Sequence, residues 1–289
     1  MIEGILRAVG MLGSLGLLFG IGLVLAGRFL RVEEDPRLGQ VMESLPGANC
    51  GACGFSGCSG FARALIGGSV PVSGCRAGGD ATARRLAEIL GQRVETTGRR
   101  VARVLCGGGR QVALTRAAYD GVQDCRAADA LGGGPKGCPQ GCLGFGTCVE
   151  TCPFDALSMG PDGLPVVDEE RCTGCGLCEL VCPRGVIRVM PATASYVRCV
   201  STMPGKFVRQ VCEAGCIGCR ICERTCEKGA IRVTDNLAVI DPALCDSCGR
   251  CAEKCPTHAI AIVGVGAEVA QAATATGSAD MRADGVGRA

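Results

Sequence analysis

Cysteines in closely spaced runs are the residues of this sequence that are best suited to chemistry. The chain has 24 cysteines among 289 residues, and three stretches repeat the spacing Cys-x2-Cys-x2-Cys-x3-Cys, starting at Cys172, Cys216 and Cys245. This spacing is typical of [4Fe–4S] clusters, in which the fourth cysteine of one run serves a second cluster. Zinc sites usually use two Cys-x2-Cys pairs across a longer loop, and disulfides need an oxidising compartment. The spacing therefore favours iron–sulfur clusters, with zinc and disulfides as alternatives.

Most of these cysteines belong to an internal repeat that begins at residue 138. A wider run, Cys138-x3-Cys142-x5-Cys148-x3-Cys152, precedes the run at Cys172, and the runs at Cys216 and Cys245 form a second pair. The crossing rule of double-cluster ferredoxins then predicts four clusters. Their expected ligand sets are Cys138, Cys142, Cys148 and Cys182; Cys152, Cys172, Cys175 and Cys178; Cys216, Cys219, Cys222 and Cys255; and Cys226, Cys245, Cys248 and Cys251.

The segments between these runs predict the secondary structure of the repeat. Each run is followed by a short alternating segment, FDALSM, RGVIRV, KGAIRV or THAIAI, which indicates a β-strand. Within each pair of runs, the segments 162–168 and 235–241 have the pattern of a hairpin. The sequence therefore predicts an α+β fold with two tandem double-cluster ferredoxin-like modules, at 93–213 and 214–263.

A separate group of four cysteines precedes the repeat. Cys50, Cys53 and Cys58 lie close together and Cys75 follows at a distance, which suits one more [4Fe–4S] cluster in a small domain at 28–92. Residues 28–45 have the composition of a charged connector. Residues 61–66 and 80–92 have the pattern of helices, and Asp80 is the expected N-cap of the second helix. A zinc knuckle is the alternative.

Four cysteines remain outside these five sets. Cys106 and Cys125 precede the first module, and Cys199 and Cys212 follow it. Cysteine is often buried without any function, so four free thiols are one interpretation. Because the chain otherwise uses cysteines in fours, we expect a sixth [4Fe–4S] site instead.

The N-terminus has the pattern of a membrane span. Residues 8–26 form an uncharged apolar run, and a run of nineteen residues can cross a hydrocarbon core of about 30 Å. A cleaved signal peptide would need a basic start and a shorter apolar run, so we expect a retained anchor at 1–27. Arg28, Arg31 and Arg37 follow the span, which predicts that the rest of the chain lies on the cytoplasmic side of the cell membrane.

Composition excludes several other classes of function. The net charge of +2 argues against nucleic-acid binding, and a single histidine, His258, leaves no histidine-based catalytic triad. We therefore expect that the chain has no catalytic side chains. Arginines are frequent from Arg84 to Arg126. This region is either a solvated basic face or a docking surface for an acidic ferredoxin or for anionic lipid headgroups.

Taken together, these motifs resemble the B subunit of the Rnf electron transport complex, also called the Rsx system. The resemblance rests on the N-terminal span and on NCGACGFSGCSGFA, Cys106-Gly-Gly-Gly, KGCPQGCLGFGTCVETCPFDAL, RCTGCGLCELVCPRGVI, GCIGCRICERTC and LCDSCGRCAEKCPT. It covers residues 1–263 and leaves an Ala/Gly-rich tail, 264–289, that reads as disordered.

The resemblance implies a subunit of a membrane-bound oxidoreductase complex that moves ions. Such a complex passes electrons between ferredoxin and NAD, so the implied partners are soluble ferredoxin and the membrane and flavin-bearing subunits of the same complex. This chain would relay electrons through about six [4Fe–4S] clusters. The alternative function is a membrane-anchored polyferredoxin that reduces another acceptor, such as a redox-sensing transcription factor.

Overall fold

An apolar helix begins the chain. The computed structural model describes residues 2–29, 35–94 and 98–263, so the expected disordered tail at 264–289 lies outside the described residues. Helix α1 (Ile2–Phe29) is the one helix among them that is long and apolar enough to cross a membrane, and its apolar side chains are exposed. This is consistent with the anchor predicted from the sequence.

A small helical domain follows α1. It contains α2 (Arg37–Ser44), α3 (Cys58–Ile66), a 3-10 turn (Val72–Gly74) and α4 (Gly79–Leu90). Val41, Phe61, Leu65 and Leu86 form its buried core, because the apolar faces of α2, α3 and α4 meet there.

Two local predictions for this domain are wrong. The expected connector at 28–45 contains α2, because Val41 on this helix supplies apolar surface to the core. Asp80 does not cap α4, which begins one residue earlier at Gly79. The Asp80 carboxylate instead accepts a hydrogen bond from the Gly98 backbone N–H at 2.9 Å, which ties the helix to the next segment.

The first ferredoxin unit, residues 100–191, contains two antiparallel strand pairs. Strand β1 (Arg100–Val104) is followed by α5 (Cys125–Ala130), α6 (Thr147–Glu150), β2 (Leu157–Met159), β3 (Pro165–Val167), α7 (Leu177–Val181) and β4 (Ile187–Pro191). β1 pairs with β4 over five residues, and β2 pairs with β3 as a hairpin. Val186 and Ile187 are fully buried in a core that also holds several cysteines.

The second ferredoxin unit, residues 196–261, repeats this arrangement. Its elements are β5 (Tyr196–Val197), α8 (Gly205–Val211), α9 (Ile221–Thr225), β6 (Ile231–Thr234), β7 (Leu237–Ile240), α10 (Arg250–Glu253) and β8 (Ile260–Ala261). β5 pairs with β8, and β6 pairs with β7.

The repeat predicted the strands better than it predicted the boundary between the units. The strands expected after each cysteine run and the two hairpins are all confirmed, as β2, β4, β6 and β8 with the partner strands β3 and β7. The expected boundary at 213/214 is wrong, because β5 precedes it and pairs with β8. A strand of two residues carries too little pattern to be found in the sequence.

Candidate iron–sulfur sites

The 24 cysteines fall into six groups of four, and five of these groups line a cavity. In the order in which they adjoin one another, the groups are called sites 1 to 6. Site 1 is Cys50, Cys53, Cys58 and Cys75; site 2 is Cys152, Cys172, Cys175 and Cys178; site 3 is Cys125, Cys142, Cys148 and Cys182; site 4 is Cys106, Cys138, Cys199 and Cys212; site 5 is Cys216, Cys219, Cys222 and Cys255; site 6 is Cys226, Cys245, Cys248 and Cys251.

Site 2 is assigned from proximity rather than from a cavity. Burial raises the pKa of Cys178 to about 12, and the nearby thiols of Cys175, Cys172 and Cys152 add to the rise. The Cys172 sulfur also accepts a hydrogen bond from the Ala102 backbone N–H at 3.4 Å, so β1 borders this group.

Sites 1, 2, 5 and 6 contain the cysteines expected from the sequence, but two residues exchange places between sites 3 and 4. Cys138 lines the cavity of Cys106, Cys199 and Cys212, where Cys125 was expected. Cys125 lines the cavity of Cys142, Cys148 and Cys182, where Cys138 was expected. The crossing rule is therefore wrong for Cys138, and the grouping of the four remaining cysteines is wrong for Cys125.

The position of Cys138 follows from backbone pairing around site 4. Residues 112–115 lie between two distant segments, with antiparallel bridges from Ala113 to Cys212 and from Thr115 to Lys136. The Gly137 N–H donates to the Leu114 carbonyl at 2.7 Å, and the Leu114 N–H donates to the Val211 carbonyl at 2.8 Å. These bonds bring Cys138 to the same cavity as Cys212.

The position of Cys125 follows from the cap of a short helix. Asp124 is the N-cap of α5 and accepts hydrogen bonds from the Arg126 and Ala127 N–H groups. The Thr147 hydroxyl donates to Asp124 at 2.8 Å and accepts from the Cys125 N–H at 2.8 Å. Because Thr147 begins α6 and Cys148 follows it, this network places Cys125 beside Cys148.

A left-handed residue precedes the helix that carries a cysteine in each repeat. Gly146, Gly176 and Gly249 have φ of 80°, 90° and 82° before α6, α7 and α10. Arg220 occupies the equivalent position before α9 with φ of 60°, a conformation that costs a residue with a Cβ about 1–2 kcal/mol. The turn aims the first helical cysteine, such as Cys222, at the same cavity as the loop cysteines before it.

The environment of the thiols is apolar, with backbone donors directed at some of the sulfurs. Burial raises the pKa of Cys142 and of Cys148 to about 12, and of Cys199 and of Cys222 to about 11. Backbone N–H groups donate to the sulfurs of Cys106, Cys199 and Cys245, each at 3.4 Å. Donors of this kind are among the factors that set the potential of iron–sulfur clusters.

The cysteine groups suit a cluster of several atoms better than a single ion. Four thiols line each of five cavities. Among the described residues, no three Cys, His, Asp or Glu side chains converge closely enough for one metal ion. Zinc would need thiolates at about 2.3 Å from a common centre, whereas these thiols stand around a larger space.

One part of the predicted basic surface is in the interior. Arg103 is only 5% exposed, forms an ion pair with Glu169 and donates to the Ala192 carbonyl at 2.8 Å. Its guanidinium also lies 5.5 Å from the centre of the Tyr196 ring. Arg103 therefore joins β1 to the start of the second unit and cannot dock a partner, while its neighbours Arg99 and Arg100 are exposed.

Sequence reasoning missed a buried cation at site 4. Lys136 is 8% exposed, lines the cavity, and donates from Nζ to the Gly108 carbonyl at 2.6 Å. Its position two residues before Cys138 was the available signal, but a single lysine in a glycine-rich loop does not distinguish a buried side chain from a solvated one.

Three family models match the cysteine-rich regions. Residues 45–77 match a family described as a putative Fe–S cluster, and residues 139–189 and 215–259 each match a 4Fe-4S dicluster domain. The chain thus has three iron–sulfur domains and binds [4Fe–4S] clusters.

Curated relatives match over most of the chain. It is 46% identical to the B subunit of the Na+-translocating ferredoxin:NAD+ oxidoreductase complex of Acetobacterium woodii, over 90% of this chain and 78% of that protein. It is 43% identical to the B subunit of the ion-translocating oxidoreductase complex of Methanosarcina acetivorans, over 89% of this chain and 97% of that protein. It is 41% identical to the B subunit of the proton-translocating ferredoxin:NAD+ oxidoreductase complex of Clostridium ljungdahlii, over 89% and 92%. The chain therefore belongs to the B-subunit family of the ion-translocating oxidoreductase (Rnf) complexes, as its iron–sulfur electron-transfer subunit.

Proposed function

We propose that all 24 cysteines bind iron and that sites 1 to 6 each hold one [4Fe–4S] cluster. The ligand sets are those that the cavities define, so Cys125 belongs to site 3 and Cys138 to site 4. Support comes from the four thiols around each of five cavities and from the backbone donors aimed at their sulfurs. A [4Fe–4S] cluster takes up and releases one electron at a time, so six of them form a relay rather than a catalytic centre.

The observation that carries this proposal is that the six sites adjoin in a single order. Cys50 of site 1 lies near Cys175 of site 2, whose pKa is raised mainly by burial and further by the Cys50 thiol. Cys178 of site 2 likewise adds to the rise that burial causes in the pKa of Cys148 of site 3. The small N-terminal domain thus lies near the first unit at its site 2 end.

The same order continues through site 4 into the second unit. The Cys142 N–H of site 3 donates to the Cys106 sulfur of site 4 at 3.4 Å. The backbone N–H of Cys216 of site 5 donates a hydrogen bond to the sulfur of Cys199 of site 4. Sites 5 and 6 share one apolar core, which contains both Cys222 and Cys251.

The two ends of this order differ in ways that suggest a direction. Site 1 follows the apolar helix α1 most closely in the chain, and we propose that it faces the membrane-bound part of the complex. Site 6 contains Cys248, the one exposed cysteine among the 24, all of which the structure describes. We propose that reduced ferredoxin, which the names of the relatives from A. woodii and C. ljungdahlii include, delivers electrons at site 6.

The remaining partners follow from the same placement. Electrons that leave site 1 pass to the membrane and flavin-bearing subunits of the complex, and α1 holds the chain in the cell membrane. The arginines after the span favour a cytoplasmic position for the cysteine-rich part. The relatives' names favour this role over reduction of a transcription factor.

Removal of the cluster at site 4 tests both the order of the sites and the direction of electron flow. In the full chain with Cys199→Ser, site 4 should lose its cluster, which removes about four irons. After rapid mixing with reduced ferredoxin, freeze-quench EPR should show sites 5 and 6 reduced at the wild-type rate. Sites 1 to 3 should be reduced much more slowly, because their connection to site 6 is lost.

Cys58→Ser is the matched control, since it removes the cluster at site 1 and leaves the other five in sequence. Those five should be reduced as fast as in the wild type. Unchanged reduction of sites 1 to 3 in Cys199→Ser would contradict the linear order. Fast reduction of sites 1 to 3 with sites 5 and 6 left oxidised would place the donor at the opposite end.

A further inference from the structure

Lys136 is a buried cation that pairs with no carboxylate among the described residues. Its side chain lines site 4, and its residue is 8% exposed. The ion pairs found within residues 2–29, 35–94 and 98–263 do not include it. Its only polar contact among them is the Gly108 carbonyl at 2.6 Å, which is an uncharged acceptor. Burial of an unpaired charge is unfavourable, so this position favours a negative counter-charge nearby.

Two other buried cations of the first unit are neutralised by carboxylates. Arg103 is paired with Glu169, and the nearly buried side chain of Arg184 is paired with Asp129. Lys136 differs from these two arginines because no described carboxylate pairs with it, so its charge acts on the groups that surround it. The nearest negative groups are then the thiolates themselves, once they hold iron.

The charge of Lys136 reaches cysteines of two sites. Lys136 lines one cavity with all four cysteines of site 4, and the Cys142 N–H of site 3 donates to the Cys106 sulfur of that site. Lys136 lines the cavity of site 4 but not that of site 3. Its effect should therefore be larger on site 4.

A positive charge fixed beside a cluster favours the state with one more electron. A [4Fe–4S] cluster with four thiolates has a net charge of about −2 when oxidised and gains one further negative charge on reduction. A neighbouring ammonium group stabilises the reduced state more than the oxidised state, especially where solvent screening is weak. The local step is the arrival of one electron from site 5 and its departure to site 3, without transfer of a proton.

We propose that Lys136 is a positioning residue that raises the reduction potential of site 4 and makes this site hold an electron at the junction of the two units. The inference rests on the proposed six-site relay. In that relay, site 4 connects the second unit to sites 1 to 3, so its potential governs how electrons pass between them. With site 4 reduced first, the second unit can accept the next electron while the previous one waits at the junction.

An anaerobic spectroelectrochemical titration of the full chain tests this proposal. The difference between the wild type and Cys199→Ser identifies the reduction step that belongs to site 4. In Lys136→Met with full iron content, this step should move to a more negative potential, while the steps of sites 1, 5 and 6 stay in place. In Lys136→Arg, which keeps the charge, it should remain near the wild-type potential.

Lys206→Met is the matched control, because Lys206 is exposed on α8, six residues before Cys212. Removal of this charge should leave the site 4 step almost unchanged. If Lys136→Met lowers iron content, Lys136→Gln replaces it, since the amide still donates to the Gly108 carbonyl.

Three results would overturn the inference. The first is an unshifted step in a fully loaded neutral variant. The second is loss of iron in both neutral variants but not in Lys136→Arg, which would mean that the charge holds the cluster rather than tunes it. The third is a wild type with only about 20 irons and no difference from Cys199→Ser, which would remove site 4 and so refute the proposed function itself.

Discussion

The two ferredoxin units contain the same local pattern but take their cysteines from different parts of the chain. In the second unit, sites 5 and 6 use only residues 216–255, all within the unit's own two runs. In the first unit, site 3 takes Cys125 from α5, upstream of the run, and Cys138 of the run lines site 4. Each unit thus supplies two cysteines to site 4, Cys106 and Cys138 from the first and Cys199 and Cys212 from the second, but only the first unit gives up a cysteine of a run.

The difference in spacing explains the difference in grouping. The two runs of the second unit have regular x2, x2 and x3 gaps, whereas the run at 138–152 has gaps of x3, x5 and x3. The wider loop leaves Cys138 beyond the reach of site 3 and allows a residue from another element to take its place. An irregular gap in an otherwise regular repeat thus marks the cysteine that serves a neighbouring site.

The removal of cysteines in pairs should give the largest difference in iron content, and it tests the grouping in the first unit. Cys138→Ser combined with Cys199→Ser should cost about four irons per chain, because both residues line site 4. Cys125→Ser combined with Cys199→Ser should cost about eight, because the two residues line different cavities. Iron and protein analysis of the anaerobically purified chains gives the count.

The single variants serve as controls and should each lose about four irons. The opposite result, with about eight irons lost in the Cys138 pair and about four in the Cys125 pair, would restore the grouping of the regular repeat. It would also show that both units keep every cysteine of their runs for their own two sites.

The rate of iron loss to a chelator should also differ between the two units, although by a smaller factor. Site 6 contains the exposed Cys248, while every cysteine of sites 2 and 3 is at least partly buried. Iron should therefore leave site 6 several-fold faster than the buried sites when the protein is exposed to a ferrous chelator, since access needs little local opening. Absorbance of the iron–chelator complex over time should show a fast phase of about four irons.

Cys248→Ser is the control for this phase, because a chain without the site 6 cluster should release its remaining iron without it. A fast phase that persists in Cys248→Ser would assign the labile iron to another site. The two units would then not differ in the exposure of their clusters.

The smallest effect concerns the turn before the cysteine-bearing helix. Arg220 of the second unit has φ of 60° where its counterpart in the first unit is Gly146 with φ of 80°. Arg220→Gly should relieve about 1 kcal/mol of backbone strain, offset in part by loss of the exposed ion pair with Glu223. The apparent unfolding temperature in an anaerobic scan should rise by about 1–2 °C.

Gly249→Ala is the matched control in the same unit. Gly249 has φ of 82°, and an added Cβ would have no atom within 4 Å, so only backbone strain would change. This variant should lower the unfolding temperature. A fall in both variants would show that the ion pair of Arg220 outweighs the strain.

Prediction from the sequence succeeded where neighbouring residues carry the information. The short strands β2, β4, β6 and β8 follow from alternation immediately after each run, and sites 1, 5 and 6 follow from local spacing. It failed for β5, whose two residues are recognisable only through pairing with β8. It also failed for Arg103, which looked like part of a basic surface but pairs with Glu169 in the interior.

Three features can be predicted from the sequence alone: the iron–sulfur chemistry, the apolar N-terminal helix and the number of cysteine sets. These features depend on residue types and short spacings, which are written along the chain. The tertiary structure is needed to place Cys125 with Cys148 and Cys138 with Cys212, and to show that Lys136 is buried at site 4. The reason is that these contacts depend on hydrogen bonds between segments far apart in the chain, from Leu114 to Val211 and from Asp124 to Thr147.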